Sequence, residues 1–218
     1  KIEKLMPKTI YSEIELPEIV RKANELANKL NFPLMPEGRP VGHKGPPSAC
    51  IPSVGKLLQV LASGKPNGRI GEQGTGAGVG TAWLASGLRN DARLISVEIN
   101  PTLATAVTEL FKDYPNVEIK TGDWHKVMNP NEPYDLLFMD AMPRGELLNP
   151  SNWNALVDVI KIGGQIVMDD LTPVEQWLPE WNDIVDAKRE FAFANPRVVG
   201  VEVRTTQTTS ALIITRTK

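Results

Sequence analysis

Residues 70–83 read IGEQGTGAGVGTAW, with five glycines between Gly71 and Gly80, and this stretch decides the fold. Arg69 and Ile70 open a short strand, Glu72 follows, and then come Gly74, Gly76 and Gly78 at alternate positions. Thr81, Ala82, Trp83, Leu84 and Ala85 resume as a helix former. A strand that breaks on glycines and re-forms as a helix lets backbone approach a ligand at a helix N-terminus. The spacing narrows the ligand. A dinucleotide fingerprint needs G-x-G-x-x-G, and here its third glycine falls on Val79 or Thr81. An acid two residues ahead of the first glycine suits a ligand bearing an amine or a sulfonium better than a pyrophosphate.

Outward from this loop the chain alternates. Strands are expected at 69–73, 93–98, 117–120, 134–139, 164–168, 198–203 and 211–216. Helical patterns are expected near 79–89, 101–113, 124–128, 152–161 and 174–191. Ahead of the loop, 16–30 carries apolar residues at Ile19, Val20, Ala23, Leu26, Ala27 and Leu30, an amphipathic helix with Pro17 in its first turn. A second helix is expected at about 53–61. Alternating strand and helix implies a mostly parallel sheet covered by helices on both faces. The last two strands are joined only by 204–210, too short for a crossover helix, so they must pair antiparallel. The expectation is a Rossmann-like, doubly wound α/β sheet of seven strands with an antiparallel C-terminal hairpin, as one domain over 1–218. Residues 1–52 would supply an N-terminal helix and a Pro/Gly-rich cap, and 53–218 the core.

In an open α/β sheet the ligand lies beyond the carboxyl ends of the strands. Those ends are acidic. The first strand ends in Glu72, and the second in Glu98, which could accept both hydroxyls of a ribose. The third runs into Gly122-Asp123-Trp124, a carboxylate and an aromatic face fit for an adenine. The fourth ends in Asp140 and the fifth in Asp169-Asp170. Helix capping accounts for any one of these, Glu98 ahead of Pro101 or Asp123 ahead of 124–128, but poorly for all five together.

The glycine loop and these acids resemble the class I S-adenosylmethionine-dependent methyltransferases over roughly residues 52–218. The resemblance implies S-adenosylmethionine as cofactor, held by Glu72, Gly74, Thr75, Gly76, Gly80, Thr81, Glu98, Ile99, Asp123, Trp124 and Asp140. Within that class, YDLLFMDA (134–141) and IKIGGQIVMDDL (160–171) resemble the small metal-dependent O-methyltransferases of the catechol and caffeoyl-CoA type. That likeness implies a divalent cation, Mg²⁺ or another, on Asp140, Asp169 and Asp170, and methyl transfer to a phenol- or catechol-like hydroxyl of a small molecule. Three converging carboxylates would repel unless a hard cation joined them. Two departures stand out. The pair's second member is Asp170 where the family has Asn. The family's lysine, three residues after the strand-four acid, is replaced by Pro143, with Arg144 next. Arginine cannot act as a base, though it can stabilise an oxyanion; Asp140 and Arg144 are the candidate catalytic groups.

A formal net charge of −2 and a pI near 5.8 argue against a large nucleic-acid footprint. A single cysteine, Cys50, excludes an internal disulfide and reads as packing. No apolar run reaches spanning length and no signal peptide is visible, so a cytoplasmic protein without membrane contact is expected. The proline-rich loop 32–52 is long enough to be functional, with His43 in it and 36–50 as a lid. His125 reads as a surface residue beside Trp124. Trp153, Trp177 and Trp181 read as core or homodimer-interface residues, one or two of which could line an apolar acceptor pocket with Met142. Two rival functions remain open: a metal-independent N- or RNA-methyltransferase, and a non-catalytic binding protein of the same fold.

Overall fold

The structure, a computed structural model, describes residues 16–35, 41, 45–141 and 144–218. Helices α1 (Glu18–Lys29) and α2 (Pro52–Ser63) precede β1 (Arg69–Gln73) and α3 (Val79–Gly87). Then follow β2 (Arg93–Glu98), α4 (Pro101–Leu110), β3 (Val117–Thr121), α5 (Trp124–Val127) and β4 (Tyr134–Met139). The chain continues through α6 (Arg144–Leu147), α7 (Ser151–Asp158), β5 (Ile160–Leu171), α8 (Ala187–Ala194), β6 (Val198–Arg204) and β7 (Ser210–Arg216). Among the described residues the sheet has seven strands in the order β3-β2-β1-β4-β5-β7-β6. The first five run parallel, and β7 is antiparallel to both β5 and β6, as the short 204–210 connection requires.

Period-two alternation divides the strands between two cores. Leu94, Leu136, Phe138 and Val167 face α1 to α4, while Ile95, Leu137, Met139 and Met168 face the layer that contains Leu156 and Phe191. Helix α3 is buried from Val79 to Leu84 because α1, α2 and β2 all pack on it. The glycine loop therefore ends on a helix held from several sides.

The expected helix over 174–191 is not continuous. Two single 3-10 turns, Val174–Gln176 and Pro179–Trp181, precede α8. Pro179 cannot donate to a preceding turn and holds Leu178 extended (ψ 147°), which breaks the apolar periodicity that suggested one helix. Helix α8 starts afresh on Asp186, whose carboxylate accepts the amides of Lys188 and Arg189 at 3.1 Å each. The helix expected over 152–161 stops at Asp158, and β5 begins at Ile160 rather than 164, because Ile160 already pairs with Tyr134 before the register shifts.

Candidate active site

The site begins at the break in β1. Gly74, Gly76 and Gly78 have φ of +94°, +53° and +83°, a left-handed path that side chains resist, which explains their alternate spacing. The loop is anchored on β2, where the Val97 carbonyl accepts the amides of Gly74 (2.9 Å) and Thr75 (3.3 Å). Glu98 braces its outer side: one carboxylate oxygen accepts the Gly76 amide and the other the Asn100 amide, each at 2.8 Å.

Glu72 lies beneath the loop with no exposed surface. It accepts hydrogen bonds from the Ser96 hydroxyl (2.6 Å) and from Thr81, in the first turns of α3. Its other oxygen has no hydrogen-bond partner among the described residues, and a Cβ on Gly80 would stand 2.4 Å from that atom, so only glycine fits there. Burial, assisted by the nearby Glu98 charge and opposed by the Ser96 and Thr81 hydrogen bonds, raises the Glu72 pKa from 4.5 to about 7. Thr75 bonds the same Ser96 at 2.5 Å. Glu72, Thr75, Gly80 and Thr81 thus form the buried support of the loop. Ser96, which sequence reasoning missed, is the hub of that support. Its signal was the parallel pairing of β1 with β2, which sets Ser96 beside Glu72.

Gly74, Glu98, Ile99, Asp123 and Trp124 meet around one cleft of about 300 Å³, closed on its far side by Ala141 and Glu146. Asp123 caps α5 by accepting the His125 amide at 3.0 Å, so capping and a place in the cleft are combined in one residue. Trp124 is 8% exposed and stacks on the His125 ring at 3.8 Å between centroids. Its indole nitrogen is buried without a hydrogen-bond partner among the described residues. His125 in turn lies 3.2 Å from the Glu146 carboxylate, so the surface histidine ties α5 to α6. Ile99, by contrast, stands 75% exposed at the rim.

Asp140 ends β4, where the Gln73 carbonyl accepts the amides of Asp140 (3.0 Å) and Ala141 (3.1 Å) and the Gln73 side chain donates to the Ala141 carbonyl at 2.9 Å. Gln73, also missed, pins the ends of β1 and β4 together. Asp169 and Asp170 sit in a bulge of β5: Met168 pairs with Leu212 and Leu171 with Ser210, one residue more on β5 than on β7. Asp170 takes up the excess with φ +64°, uncommon for a side-chain-bearing residue. Burial first, and then the charges of Asp170, Asp169 and Glu72, hold the Asp140 carboxyl well above the usual carboxylate range, with Lys188 opposing. Cys50 is buried as expected, and burial together with the same acids pushes its thiol up.

Oxygen donors suit a hard cation, yet among the described residues no group of three His, Cys, Asp or Glu side chains is arranged to hold one. The Lys188 ammonium from α8 instead donates to the Asp169 carbonyl. The expected cation on Asp140, Asp169 and Asp170 is thus not shown among the described residues.

A second pocket, of about 500 Å³, opens between Asp170 and α8. Trp177, Trp181, Ile184, Leu147 and Leu171 give it an apolar wall, and Asp170, Asp186 and Lys188 a charged one. Arg189 bolts that wall in place: it bonds the carboxylates of Asp186 (2.6 Å) and Glu202 (2.6 and 2.8 Å) and the Thr172 carbonyl (2.9 Å). The Trp177 indole donates to the same carbonyl at 3.0 Å. Trp177 and Trp181 thus line a pocket, whereas Trp153 packs edge-on against Phe191 in the core. His43, Met142, Pro143 and residues 36–40 and 42–44 of the expected lid lie outside the described residues, as does the side chain of Arg144.

The sheet order, the hairpin at its end and the glycine loop facing an acid-lined cleft define a methyltransferase fold of class I. A family profile described as protein-L-isoaspartate(D-aspartate) O-methyltransferase matches residues 32–192, and the chain belongs to that family. A protein of Mycolicibacterium vanbaalenii, provisionally named an O-methyltransferase, is 32% identical over 126 residues, 55% of this chain and 54% of that protein. The chain spans about half the length of the curated relatives it matches. Among solved structures, the O-methyltransferase TomG of Streptomyces achromogenes, in complex with S-adenosylmethionine, superposes with a TM-score of 0.68 at 21% identity, covering 94% of this chain and 92% of its own. An O-methyltransferase of Bacillus cereus in complex with S-adenosylhomocysteine gives 0.66 at 21% identity, covering 94% and 93%. At this identity the two share the fold. Among the described residues no helix is long and apolar enough to cross a membrane.

Proposed function

We propose that this protein is an S-adenosylmethionine-dependent O-methyltransferase whose acceptor is a phenol- or catechol-like hydroxyl of a small molecule. The observation that carries the reading is the common wall of the two pockets. Glu146 lines the cleft of Glu98, Asp123 and Trp124, and the next residue, Leu147, lines the tryptophan pocket. A cofactor in the first and an aromatic acceptor in the second would meet at the ends of β4 and β5. Glu98 would bond the ribose hydroxyls, Asp123 and Trp124 would hold the adenine, and Gly74 and Gly76 would carry the methionine end. The family match and the names of the relatives support the same chemistry.

In that reaction the acceptor oxygen attacks the methyl carbon, the carbon–sulfur bond breaks, and the sulfonium becomes a neutral thioether. The hydroxyl proton passes to a carboxylate, for which Asp140 is the candidate. Much of the acceleration would come from holding oxygen, carbon and sulfur in line. Calorimetry with S-adenosylmethionine, followed by mass-spectrometric detection of S-adenosylhomocysteine with catechol, an amine and an RNA as parallel acceptors, tests the reading. Cofactor binding with product on catechol is expected. Product only on the amine or the RNA would refute the hydroxyl acceptor, and absence of cofactor binding would refute the enzyme.

A further inference from the structure

Lys188 belongs to no role assigned so far, and its placement is built rather than incidental. Its amide is held by Asp186 at the start of α8, and the neighbouring Arg189 is clamped to Asp186, Glu202 and the Thr172 carbonyl. The side chain is half-buried and leaves that anchored turn for the bulge of β5, where its ammonium donates to the Asp169 carbonyl. It shares the tryptophan pocket with Asp170. A cation thus stands at the Asp169-Asp170 bulge of β5, on the wall of the pocket proposed for the acceptor.

We infer that the Lys188 ammonium is the resident cation of this acid group, and that it takes the place a divalent ion would otherwise fill. Three observations converge on this. The acids come from two strand ends and a strained bulge, an arrangement that without positive charge would repel. The ammonium bonds the backbone of that bulge directly. No three acids among the described residues are arranged as metal ligands. An ammonium and a dication at the same acids repel each other, so the lysine should keep divalent ions weakly bound. As a positioning residue, Lys188 would hold the Asp169-Asp170 bulge and leave a positive edge facing the acceptor oxygen. Only this last function rests on the methyltransferase reading, since occupancy by the lysine does not.

The test is Mn²⁺ binding to the whole, cofactor-free protein, followed by electron paramagnetic resonance of free Mn²⁺. Wild type and Lys188→Arg should bind weakly, while Lys188→Met should bind at least tenfold more tightly. Lys188→Gln keeps a donor for the Asp169 carbonyl but removes the charge, so it guards against a folding defect in the Met variant and should show the same gain. In a methyl-transfer assay with catechol, wild-type turnover should be unchanged by a chelator, and any turnover kept by Lys188→Gln should become dependent on added Mn²⁺. Equal Mn²⁺ affinity in wild type and Lys188→Gln, weak or tight, would overturn the inference. So would loss of wild-type turnover on chelation. Failure of methyl transfer in every variant would count against the proposed function and leave the Mn²⁺ comparison to decide this one.

Discussion

Glu72→Gln should change how stability depends on pH. Glu72 is an acid at the end of a buried strand, bonded to two hydroxyls but to no positive charge among its named partners. Its carboxyl is raised from 4.5 to about 7 in the folded chain, by burial above all. Below pH 4.5 it is protonated whether the chain is folded or not, and contributes no slope. Between 4.5 and about 7 the folded state keeps a proton that the unfolded state has released, so stability falls as pH rises. Above 7 both states are ionised, and the folded state carries the full cost of the buried charge. A tenfold difference in proton affinity between the two states corresponds to about 1.4 kcal/mol, so the fall across the window is roughly 3 kcal/mol at most. Glutamine has the same shape and no charge, and the Ser96 and Thr81 hydroxyls can rotate to accept from its amide.

Urea unfolding followed by tryptophan fluorescence, at pH steps from 5 to 8, isolates this effect as the difference between wild type and variant. Other titrating groups are common to both and largely cancel. Relative to wild type, Glu72→Gln should gain stability with rising pH, most steeply between pH 5 and 7, and level off above. A difference that stays flat within about 0.5 kcal/mol over that range would refute the reasoning, because a raised carboxyl must leave a slope. A slope of opposite sign would show that the Ser96 and Thr81 hydrogen bonds outweigh burial, and would make Glu72 an ordinary ionised brace.

Glu98→Ala should weaken S-adenosylmethionine binding by roughly 1–3 kcal/mol, since the Gly76 amide loses its acceptor and, on the proposed reading, so would the ribose hydroxyls; unchanged affinity by calorimetry would remove Glu98 from the proposed cofactor site. Trp177→Ala should raise the acceptor KM about tenfold or more while leaving cofactor affinity alone, and an equal loss of both would mean that the two pockets are not separate. Arg189→Met should cost roughly 3 kcal/mol in urea unfolding, because it strands the Asp186 and Glu202 carboxylates at a partly buried site. A loss below about 0.5 kcal/mol would mark that network as a surface one.

How much of this was legible in the sequence follows from which interactions are local. Strand, glycine turn and helix leave their mark within 14 residues at 70–83, and the left-handed φ values at Gly74, Gly76 and Gly78 are the physical content of that mark. The hairpin of β6 and β7 was legible because a short connection permits only one pairing sense. The acids at the strand ends were legible as a set, since parallel topology alone brings those ends to one edge. What they do there was not. Glu72 sits one residue before the sheet opens into the cleft, and only the packing of α3 shows that Thr81 and Ser96 enclose it. The contact of Lys188 with the bulge at Asp169 was not legible, because an ammonium reaching back 19 residues leaves no periodic trace. The tryptophans posed the same difficulty: the sequence left Trp177 and Trp181 between core, interface and pocket wall, and only the two turns broken at Pro179 set them on a pocket. The scaffold is encoded in neighbours along the chain, whereas the contact that joins α8 to the bulge of β5 is encoded across 19 residues and shows only in the folded chain.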